Sequence, residues 1–372
     1  MGSGRLRNER RLQLARDEAH LPQVFATPKA ISLFATLAIL TLSLLDWGTG
    51  WSGAATQTAA SPGLRASCSG PSRIPTMATA VPLRVERAGP TVRVTIPMCV
   101  DGRGPFLFLL DSGAPSTLFD THFLDHVRLP TAAPSLLHQP GCATVVLHVT
   151  VNRWSLGPVA LTNQPVAVVR MPGFGLGDQP MGLIGSDVLS RFGAVRIDYR
   201  AQLLTVAGPE GPRPAPGTSI QGRAASPVPP GLLGAGARAA VPLDVSTSAS
   251  GTSALTPVRF GARGPFPFAV ATGAGASAVS APLAAHLDLL RAGQPEPVRS
   301  FGCTREAPVV RSGPWGVKSV TLPPRQMTAT IPVDSPPGAT GLVGSDALSA
   351  YGSIVLDYAS GSLFLGAGSA PK

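Results

Sequence analysis

Residues 108–114 read Phe-Leu-Leu-Asp-Ser-Gly-Ala, an apolar run that ends in an Asp-Ser-Gly turn. The segment recurs 160 residues later as Phe-Ala-Val-Ala-Thr-Gly-Ala, with alanine where the first copy has aspartate. Apolar runs bounded by glycine-containing turns are typical of buried β-strands. We therefore expect Asp111 to lie at the end of a strand, and Ala271 to occupy the matching place in a second copy.

Two further segments repeat at nearly the same spacing. Residues 182–190 (GLIGSDVLS) match residues 341–349 (GLVGSDALS), and the Ile-Asp-Tyr at 197–199 matches the Leu-Asp-Tyr at 356–358. Several ordered matches at one spacing indicate an internal duplication. Alternating polar and apolar residues, with frequent turn signals, predict that each copy is mainly β.

Short helices are predicted at a few places within this β framework. Two of them are expected within residues 120–129 and 281–290. Another is expected after each Gly-Ser-Asp segment, with Asp187 and Asp346 as N-caps, because a short carboxylate side chain can accept the first free amide hydrogens of a helix. This interpretation makes both aspartates structural rather than catalytic.

An apolar strand that ends in Asp-Ser-Gly-Ala, followed about 70 residues later by an apolar-apolar-Gly segment, resembles a lobe of the aspartic peptidase superfamily. The later Gly-Ser-Asp and Ile-Asp-Tyr segments are most similar to its bacterial retropepsin-like branch. The resemblance covers residues 80–208 well and residues 237–368 in degraded form. It implies an all-β fold of two tandem retropepsin-like barrel lobes, and peptide hydrolysis that needs neither a metal nor another cofactor.

The resemblance also implies roles for the loop residues. Asp111 is the catalytic acid, and Ser112 is expected to hydrogen-bond across the lobe interface to its counterpart. Gly113 allows a tight turn and an amide hydrogen bond to the carboxylate, while the small Ala114 keeps the wall of the cleft close. Two segments are expected to support the loops from beneath: Leu183, Ile184 and Gly185 in the first copy, and Leu342, Val343 and Gly344 in the second.

The second loop lacks the acid but keeps Thr272 and Gly273. A carboxylate dyad shares one proton between two acids, and Ala271 can bind none. Three arrangements follow: lobe 1 pairs with lobe 1 of another chain in a homodimer, the two lobes pair within the chain, or a distant loop supplies an acid. Thr272 favours pairing within the chain. The function predicted is an aspartic endopeptidase using Asp111, or else an inactive pseudo-peptidase that binds peptides.

The chain of 372 residues is long enough for about two domains, and further segments are predicted before and between them. A basic flank, an uncharged run at residues 30–45 and nearby tryptophans predict a single-pass membrane anchor with extracytoplasmic lobes. A cleaved signal peptide followed by secretion is the alternative. The predicted order is a basic cytoplasmic segment (1–29), the anchor or signal (30–47), a flexible stalk (48–78), lobe 1 (79–208), a Pro/Gly-rich linker (209–236) and lobe 2 (237–368).

Charge, histidine spacing and cysteine content limit which ligands, metal sites and disulfide bonds are expected. The net charge is +10, but the arginines are scattered without a basic helix, so nucleic-acid binding is not expected. The resemblance implies a peptide or protein substrate. His122 and His126 lie four residues apart without the glutamate of a zinc-peptidase motif, so no metal site is predicted. The four cysteines permit three pairings; Cys68–Cys99 and Cys142–Cys303 are favoured because Cys142 and Cys303 occupy equivalent places in the repeat.

Overall fold

The computed structural model describes Cys68 and residues 77–366, except residues 140–141, 172, 174–177, 209, 212–213, 221–231, 234–238, 301–302, 319 and 333–334. These residues belong to one compact unit within residues 60–372. The predicted cytoplasmic segment, the anchor at 30–47 and nearly all of the stalk lie outside the described residues. In the part of the chain that is described, no helix is both long and apolar enough to cross a membrane.

Lobe 1 is built on a ten-stranded sheet whose main path runs β6-β7-β10-β5-β11-β4-β3-β8-β9, with β2 paired to β3. Its strands and helices are β1 (Thr79–Pro82), β2 (Arg84–Ala88), β3 (Thr91–Val100), β4 (Arg103–Leu110), β5 (Leu118–Asp120), α1 (Phe123–His126), β6 (Thr131–Gln139), β7 (Cys142–Val151), β8 (Trp154–Leu156), β9 (Val159–Leu161), β10 (Gln164–Val169), β11 (Gly182–Ile184), α2 (Ser186–Leu189), β12 (Ala194–Asp198) and β13 (Leu203–Val206).

Lobe 2 repeats this plan in a second ten-stranded sheet and a separate β20-β21 hairpin. Its elements, with a short strand that precedes them, are β14 (Ser219–Ile220), β15 (Ala239–Pro242), β16 (Asp244–Ser248), β17 (Gly251–Phe260), β18 (Arg263–Ala271), β19 (Ala278–Val279), α3 (Ala281–His286), β20 (Glu296–Ser300), β21 (Cys303–Ala307), β22 (Val309–Arg311), β23 (Trp315–Val317), β24 (Val320–Leu322), β25 (Gln326–Thr328), β26 (Gly341–Gly344), α4 (Ser345–Leu348), β27 (Ser353–Asp357) and β28 (Ser362–Leu365).

The internal duplication predicted from the sequence is visible in the strand pairing. In lobe 1, β4 runs parallel to β11, and in lobe 2 the equivalent β18 runs parallel to β26. Each of these parallel pairs ends at one of the two glycine-containing loops. The mainly β class predicted from the residue pattern is therefore confirmed for the described chain.

A six-stranded sheet, in the order β1-β13-β12-β27-β28-β15, joins the two lobes. Its centre is the antiparallel pair β12 and β27, with Val195 opposite Leu356 and Ile197 opposite Ile354. The first three strands come from lobe 1 and the last three from lobe 2. The lobes are therefore hydrogen-bonded to each other within one chain.

Aromatic side chains fill equivalent places in the two cores. Phe108, Phe119 and Phe123 pack edge to face in lobe 1, with ring centroids 4.7 to 5.5 Å apart. Phe268 occupies the equivalent place of Phe108 in lobe 2 and is also fully buried. Full burial of each such side chain contributes about 1.5–3 kcal/mol, and it fixes the strand that leads into each loop.

Short helices lie within the predicted ranges, but the capping differs from the sequence prediction. The segments 120–129 and 281–290 contain helices of four and six residues only. The N-caps of α2 and α4 are Gly185 and Gly344, so the predicted capping role of Asp187 and Asp346 is wrong. Instead, Asp187 accepts hydrogen bonds from the backbone and hydroxyl of Thr117, both at 2.7 Å, because strand packing brings that distant residue alongside the helix.

The segment predicted as a linker, residues 209–236, is partly folded where it is described. The strand β14 pairs with β16 of lobe 2, with Ser219 opposite Ser246. Leu232 is fully buried against Ala194 and Val355 of the interlobe sheet. The proline and glycine content of the segment suggested a spacer, but its few apolar residues are enough to anchor parts of it.

Candidate active site

The strand β4 runs from the protein surface to the interior, and Asp111 directly follows its last residue. Its residues change from exposed at Arg103 to buried at Leu110, immediately before the acid. The backbone N–H of Asp111 donates to the carbonyl of Ile184 on β11, at 2.9 Å. The segment Leu183-Ile184-Gly185 therefore contacts the start of the loop through Ile184.

Gly185 and Gly344 are needed where the support segments pass the loops. A Cβ atom at Gly185 would lie 2.6 to 2.8 Å from backbone atoms of Ser116 and Ala114. At Gly344 it would meet Ala276 and Ala274 at the same range of distances. Because the backbones approach so closely, the amide after each glycine can bond to the loop. The N–H of Ser186, for example, donates to the carbonyl of Ala114 at 2.8 Å.

The Asp111 carboxylate is held by amides from both lobes. Its Oδ1 accepts hydrogen bonds from the N–H of Gly113, at 2.8 Å, and from the N–H of Gly273, at 3.1 Å. The two amides therefore fix the orientation of the Asp111 side chain at the junction of the lobes.

Ser112 and Thr272 join the loops through reciprocal hydrogen bonds. The N–H of Ser112 donates to Oγ1 of Thr272 at 3.0 Å, and the N–H of Thr272 donates to Oγ of Ser112 at 3.3 Å. Each hydroxyl also donates to a carbonyl of the opposite strand: Ser112 to Val270 at 2.5 Å and Thr272 to Leu110 at 2.9 Å. Both side chains are buried, so these bonds fix the two loops relative to each other.

Ala271 occupies the place where a second acid would stand. It ends β18, and its side chain is 2% exposed. A Cβ at Gly113 would lie 2.5 Å from the Ala271 Cβ, just as a Cβ at Gly273 would lie 2.4 Å from the Asp111 Cβ. The two loops are thus related by an approximate two-fold axis, and only one of them carries a carboxylate.

Two buried tyrosines brace the loops from the opposite lobe. Oγ of Ser186 in lobe 1 donates to the Ser112 carbonyl and contacts the Tyr358 hydroxyl of lobe 2, both at 2.8 Å. The symmetrical pair in lobe 2 is Ser345, which donates to the Thr272 carbonyl at 2.7 Å and meets the Tyr199 hydroxyl at 3.2 Å. The repeated Ile-Asp-Tyr and Gly-Ser-Asp segments contain these residues, but the contacts between them depend on how the two lobes pack and are not evident from the local sequence.

Burial also sets the protonation state of the bracing tyrosines. Desolvation raises the pKa of Tyr358 well above its ordinary value, against a smaller lowering by the Ser186 hydrogen bond. The pKa of Tyr199 is raised for the same reason, against the Ser345 hydrogen bond. Both groups are therefore neutral phenols at physiological pH, able to donate one hydrogen bond each.

Asp111 lines a cavity of about 240 Å³ between the lobes. Apolar walls come from Leu109, Met171 and Leu183 of lobe 1 and from Leu342 of lobe 2. Ala114, Ala271 and Gly273 lie near the acid, and Arg299 of the β20-β21 hairpin lines the same cavity. A mainly apolar cleft with a few convergent polar groups is the usual form of a ligand site.

Cys68 and Cys99 form a disulfide, one of the two bridges expected from the sequence, with a Cα–Cα distance of 5.6 Å. The bond ties the end of the predicted stalk to β3. Cys303 is also disulfide-bonded. The side chain of Cys142, its expected partner, lies outside the described residues.

The two histidines with metal-like spacing are part of the scaffold. Nδ1 of His122 contacts the buried Asp120 carboxylate at 2.7 Å. The His126 carbonyl accepts from Arg103 at 2.6 Å, and the equivalent His286 carbonyl accepts from Arg263 at 3.0 Å. Across the described residues, no group of three or more His, Cys, Asp or Glu side chains is arranged to hold a metal ion.

Comparison with known proteins agrees with the loop chemistry. Residues 96–188 match the Asp_protease_2 family model, described as aspartyl protease. This match confirms the family inferred from the Asp111 loop, and it supports an aspartic-type peptidase. No curated protein sequence matches the chain significantly.

The solved structures that match this chain have low sequence identity to it. The aspartic proteinase from Irpex lacteus is 13% identical, with a TM-score of 0.40, covering 78% of this chain and 98% of that one. Basic 7S globulin from soybean is 11% identical, with a TM-score of 0.38, covering 79% and 96%. The structure named edgp is 10% identical, with a TM-score of 0.41, covering 80% and 96%.

Proposed function

We propose that this protein is an aspartic endopeptidase in which Asp111 activates the attacking water. The observation that carries this proposal is the position of the Asp111 carboxylate. It lines the cleft between the lobes, and its Oδ1 accepts amide hydrogen bonds from Gly113 and Gly273. A carboxylate held in this way is oriented to accept a proton from a water in the cleft.

The reaction would use Asp111 as a general base. The carboxylate takes a proton from water while the water oxygen forms a bond to the scissile carbonyl carbon. The protonated Asp111 then returns the proton to the departing amine as the C–N bond breaks. General base catalysis of this kind contributes about 10²–10⁴-fold. Ala271 supplies no second acid to polarise the carbonyl, so turnover is expected to be slow.

Asp111→Asn tests the enzyme proposal directly. Asparagine keeps the size of the side chain but cannot accept the proton from water. The ectodomain, beginning before Cys68, is incubated with a peptide library at mildly acidic pH, and cleavage is followed by mass spectrometry. We expect cleavage by the wild type and none by Asp111→Asn. Equal cleavage by both, or none by a folded wild type, would reject Asp111-dependent hydrolysis.

Ala271 favours a second candidate function, a pseudo-peptidase that binds peptides without cutting them. The cleft, the loops and their hydrogen bonds do not need the second carboxylate in order to hold an extended peptide. In this case labelled peptides would bind to wild type and to Asp111→Asn alike, and they would be recovered intact. The same two proteins therefore distinguish the two functions.

We further propose that one chain forms the complete cleft. The face of the Asp111 loop that a second copy would need is occupied by Thr272 and Gly273 of the same chain. A homodimer through lobe 1 would have to replace the reciprocal Ser112–Thr272 bonds. Light scattering of the purified ectodomain should give the mass of one chain, and a stable dimer that is lost in a Ser112→Ala variant would contradict this arrangement.

We propose that residues 30–47 anchor the protein in the cell membrane with both lobes outside the cytoplasm. The apolar run and its basic N-terminal flank support this orientation. The Cys68–Cys99 disulfide supports an oxidising compartment for the lobes. Full-length protein should fractionate with membranes and lose its lobes to external protease. Recovery of a shortened, soluble protein would instead indicate a cleaved signal and secretion.

A further inference from the structure

Arg299 lies on the β20 strand of lobe 2 and lines the same cavity as Asp111. Its side chain is exposed, and its Nη1 donates to the Gly173 carbonyl of lobe 1 at 3.2 Å. The guanidinium therefore extends from the hairpin of one lobe towards the other lobe. A ligand that lies along the cleft would pass this charged group.

The cavity has a simple charge pattern. Among the described residues that line it, Arg299 is the only cation and Asp111 is the only other ionisable group. The surrounding walls are formed largely by Leu, Met, Ala and Gly residues of both lobes. Apolar walls weaken solvent screening, so a charge on a bound ligand would be sensed more strongly here than on an open surface.

We infer that Arg299 binds a carboxylate of the peptide ligand, and so gives the cleft a preference for peptides with Asp or Glu next to apolar residues. The inference rests on the proposed function, because it takes a peptide as the ligand. A guanidinium presents several N–H donors in a plane that matches a carboxylate. The hydrogen bond from Nη1 to the Gly173 carbonyl directs the guanidinium towards lobe 1.

The role inferred for Arg299 also concerns the repulsion between Asp111 and an acidic ligand. An acidic ligand side chain brought near the Asp111 carboxylate would be repelled by it. Arg299 offsets that repulsion on the lobe 2 side of the cavity. Acidic peptides should therefore bind with the acid towards the β20-β21 hairpin, and the preference should weaken as salt screens the exposed guanidinium.

The test uses binding, so it does not depend on catalytic activity. All variants are made in the uncleaving Asp111→Asn background. Fluorescence anisotropy measures the affinity of labelled peptides that are identical except for Asp, Asn or Arg at one position, which is moved along the peptide. We expect the best Asp peptide to bind about tenfold more tightly than its Asn partner, the ratio typical of one charge-assisted contact.

Variants at Arg299 separate charge recognition from a structural role. Arg299→Gln should remove the preference for the acidic peptide while leaving affinity for the Asn peptide within about twofold. Arg299→Glu should reverse the preference in favour of the Arg peptide. Arg311→Glu, a charge reversal at an exposed arginine that does not line the cavity, serves as the control and should leave the preference unchanged.

Three results would overturn the inference. Equal loss of affinity for Asp, Asn and Arg peptides in Arg299→Gln would show that Arg299 acts only structurally, by linking the two lobes through its hydrogen bond to Gly173. An acidic preference that survives Arg299→Glu would place the recognition elsewhere. Failure of every peptide to bind the folded protein would overturn both this inference and the peptide-directed function, whereas the first two results leave that function standing.

Discussion

The backbone N–H of Gly273 in lobe 2 donates a hydrogen bond to the Asp111 carboxylate of lobe 1, with an N···Oδ1 distance of 3.1 Å. The loop that has lost its own acid therefore holds the acid of the other loop. This contact gives a physical reason for Thr272 and Gly273 to persist beside Ala271. Ala271 provides no second proton site, but the second loop still supports Asp111.

Gly273→Ala should disrupt the site through a steric clash. The new Cβ would lie 2.4 Å from the Cβ and Cγ of Asp111 and 2.6 Å from its Oδ2. Because the clash involves the junction of two lobes, we expect a loss of about 1–3 kcal/mol of unfolding free energy together with loss of ligand binding. Gly208→Ala is the matched control, since its Cβ would meet nothing within 4 Å. Denaturant titration and peptide binding measure both effects, and wild-type behaviour of Gly273→Ala would contradict the observed packing.

Thr272→Val should weaken the joint between the lobes while keeping the shape of the side chain. The change removes the fully buried hydroxyl group, which donates a hydrogen bond to the Leu110 carbonyl and accepts one from the Ser112 N–H. Leaving buried partners unsatisfied costs about 1–3 kcal/mol each. Thr272→Ser keeps the hydroxyl and should cost only about 1 kcal/mol for the lost methyl group. Urea denaturation compares the two variants; equal stabilities would show that the hydroxyl bonds contribute little.

Ala271→Asp should create a carboxylate dyad. The missing side chain of Gly113 leaves space opposite Ala271, as the missing side chain of Gly273 does opposite Asp111. We expect faster peptide cleavage and a bell-shaped pH profile, because a dyad works with one acid protonated and one ionised.

The control for that variant is Ala271→Asn, which adds nearly the same volume without a proton site. It should not cleave faster than the wild type. Light scattering must show that Ala271→Asp remains a single chain, so that the gain comes from the two lobes of one molecule. A folded, single-chain Ala271→Asp protein without increased cleavage would count against the proposed mechanism.

Tyr199 and Tyr358 should make the fold sensitive to alkaline pH. Burial raises the pKa of each phenol above its ordinary value of about 10. The unfolded chain therefore loses these protons at lower pH than the folded chain does. Their contribution to stability is complete below about pH 10 and is lost as pH rises from there through the folded-state pKa.

Phenylalanine variants provide the measurement for that prediction. Tyr358→Phe removes the titrating group and also the 2.8 Å contact with Ser186. It should lower stability near neutral pH by about 1 kcal/mol, and it should make the decline of stability above pH 10 shallower. Urea denaturation at a series of pH values gives both quantities. A decline as steep as that of the wild type would show that Tyr358 is not a source of the alkaline sensitivity.

Much of the candidate site was predictable because its signals are local. The apolar strand, the Asp-Ser-Gly turn and the vacancy at Ala271 can all be read from two short segments of the chain. The internal repeat then placed the support glycines. Positions such as Gly185 follow from the same repeat, and the structure gives their reason in the close approach of the backbone at Ser116.

Other features depend on contacts between distant residues. Asp187 looked like a helix cap, yet its carboxylate bonds to Thr117, which is 70 residues away. The repeat could not show that β12 would pair with β27. Both strands have the same alternating pattern, and such a pattern indicates a strand without identifying its partner. Arg299 belongs to no motif, and it becomes noticeable only when the β20-β21 hairpin brings it to the cavity of Asp111.

The pairing of β12 with β27 also sets the order in which the molecule can be completed during synthesis. The strand Ala194–Asp198 leaves the ribosome long before its partner Ser353–Asp357. Until that partner emerges, the nascent chain exposes an unpaired strand edge, which is an aggregation hazard. The cleft at Asp111 therefore forms only after residues 353–357 have been made, so a chain terminated before them would carry the acid without the cleft that gives it a use.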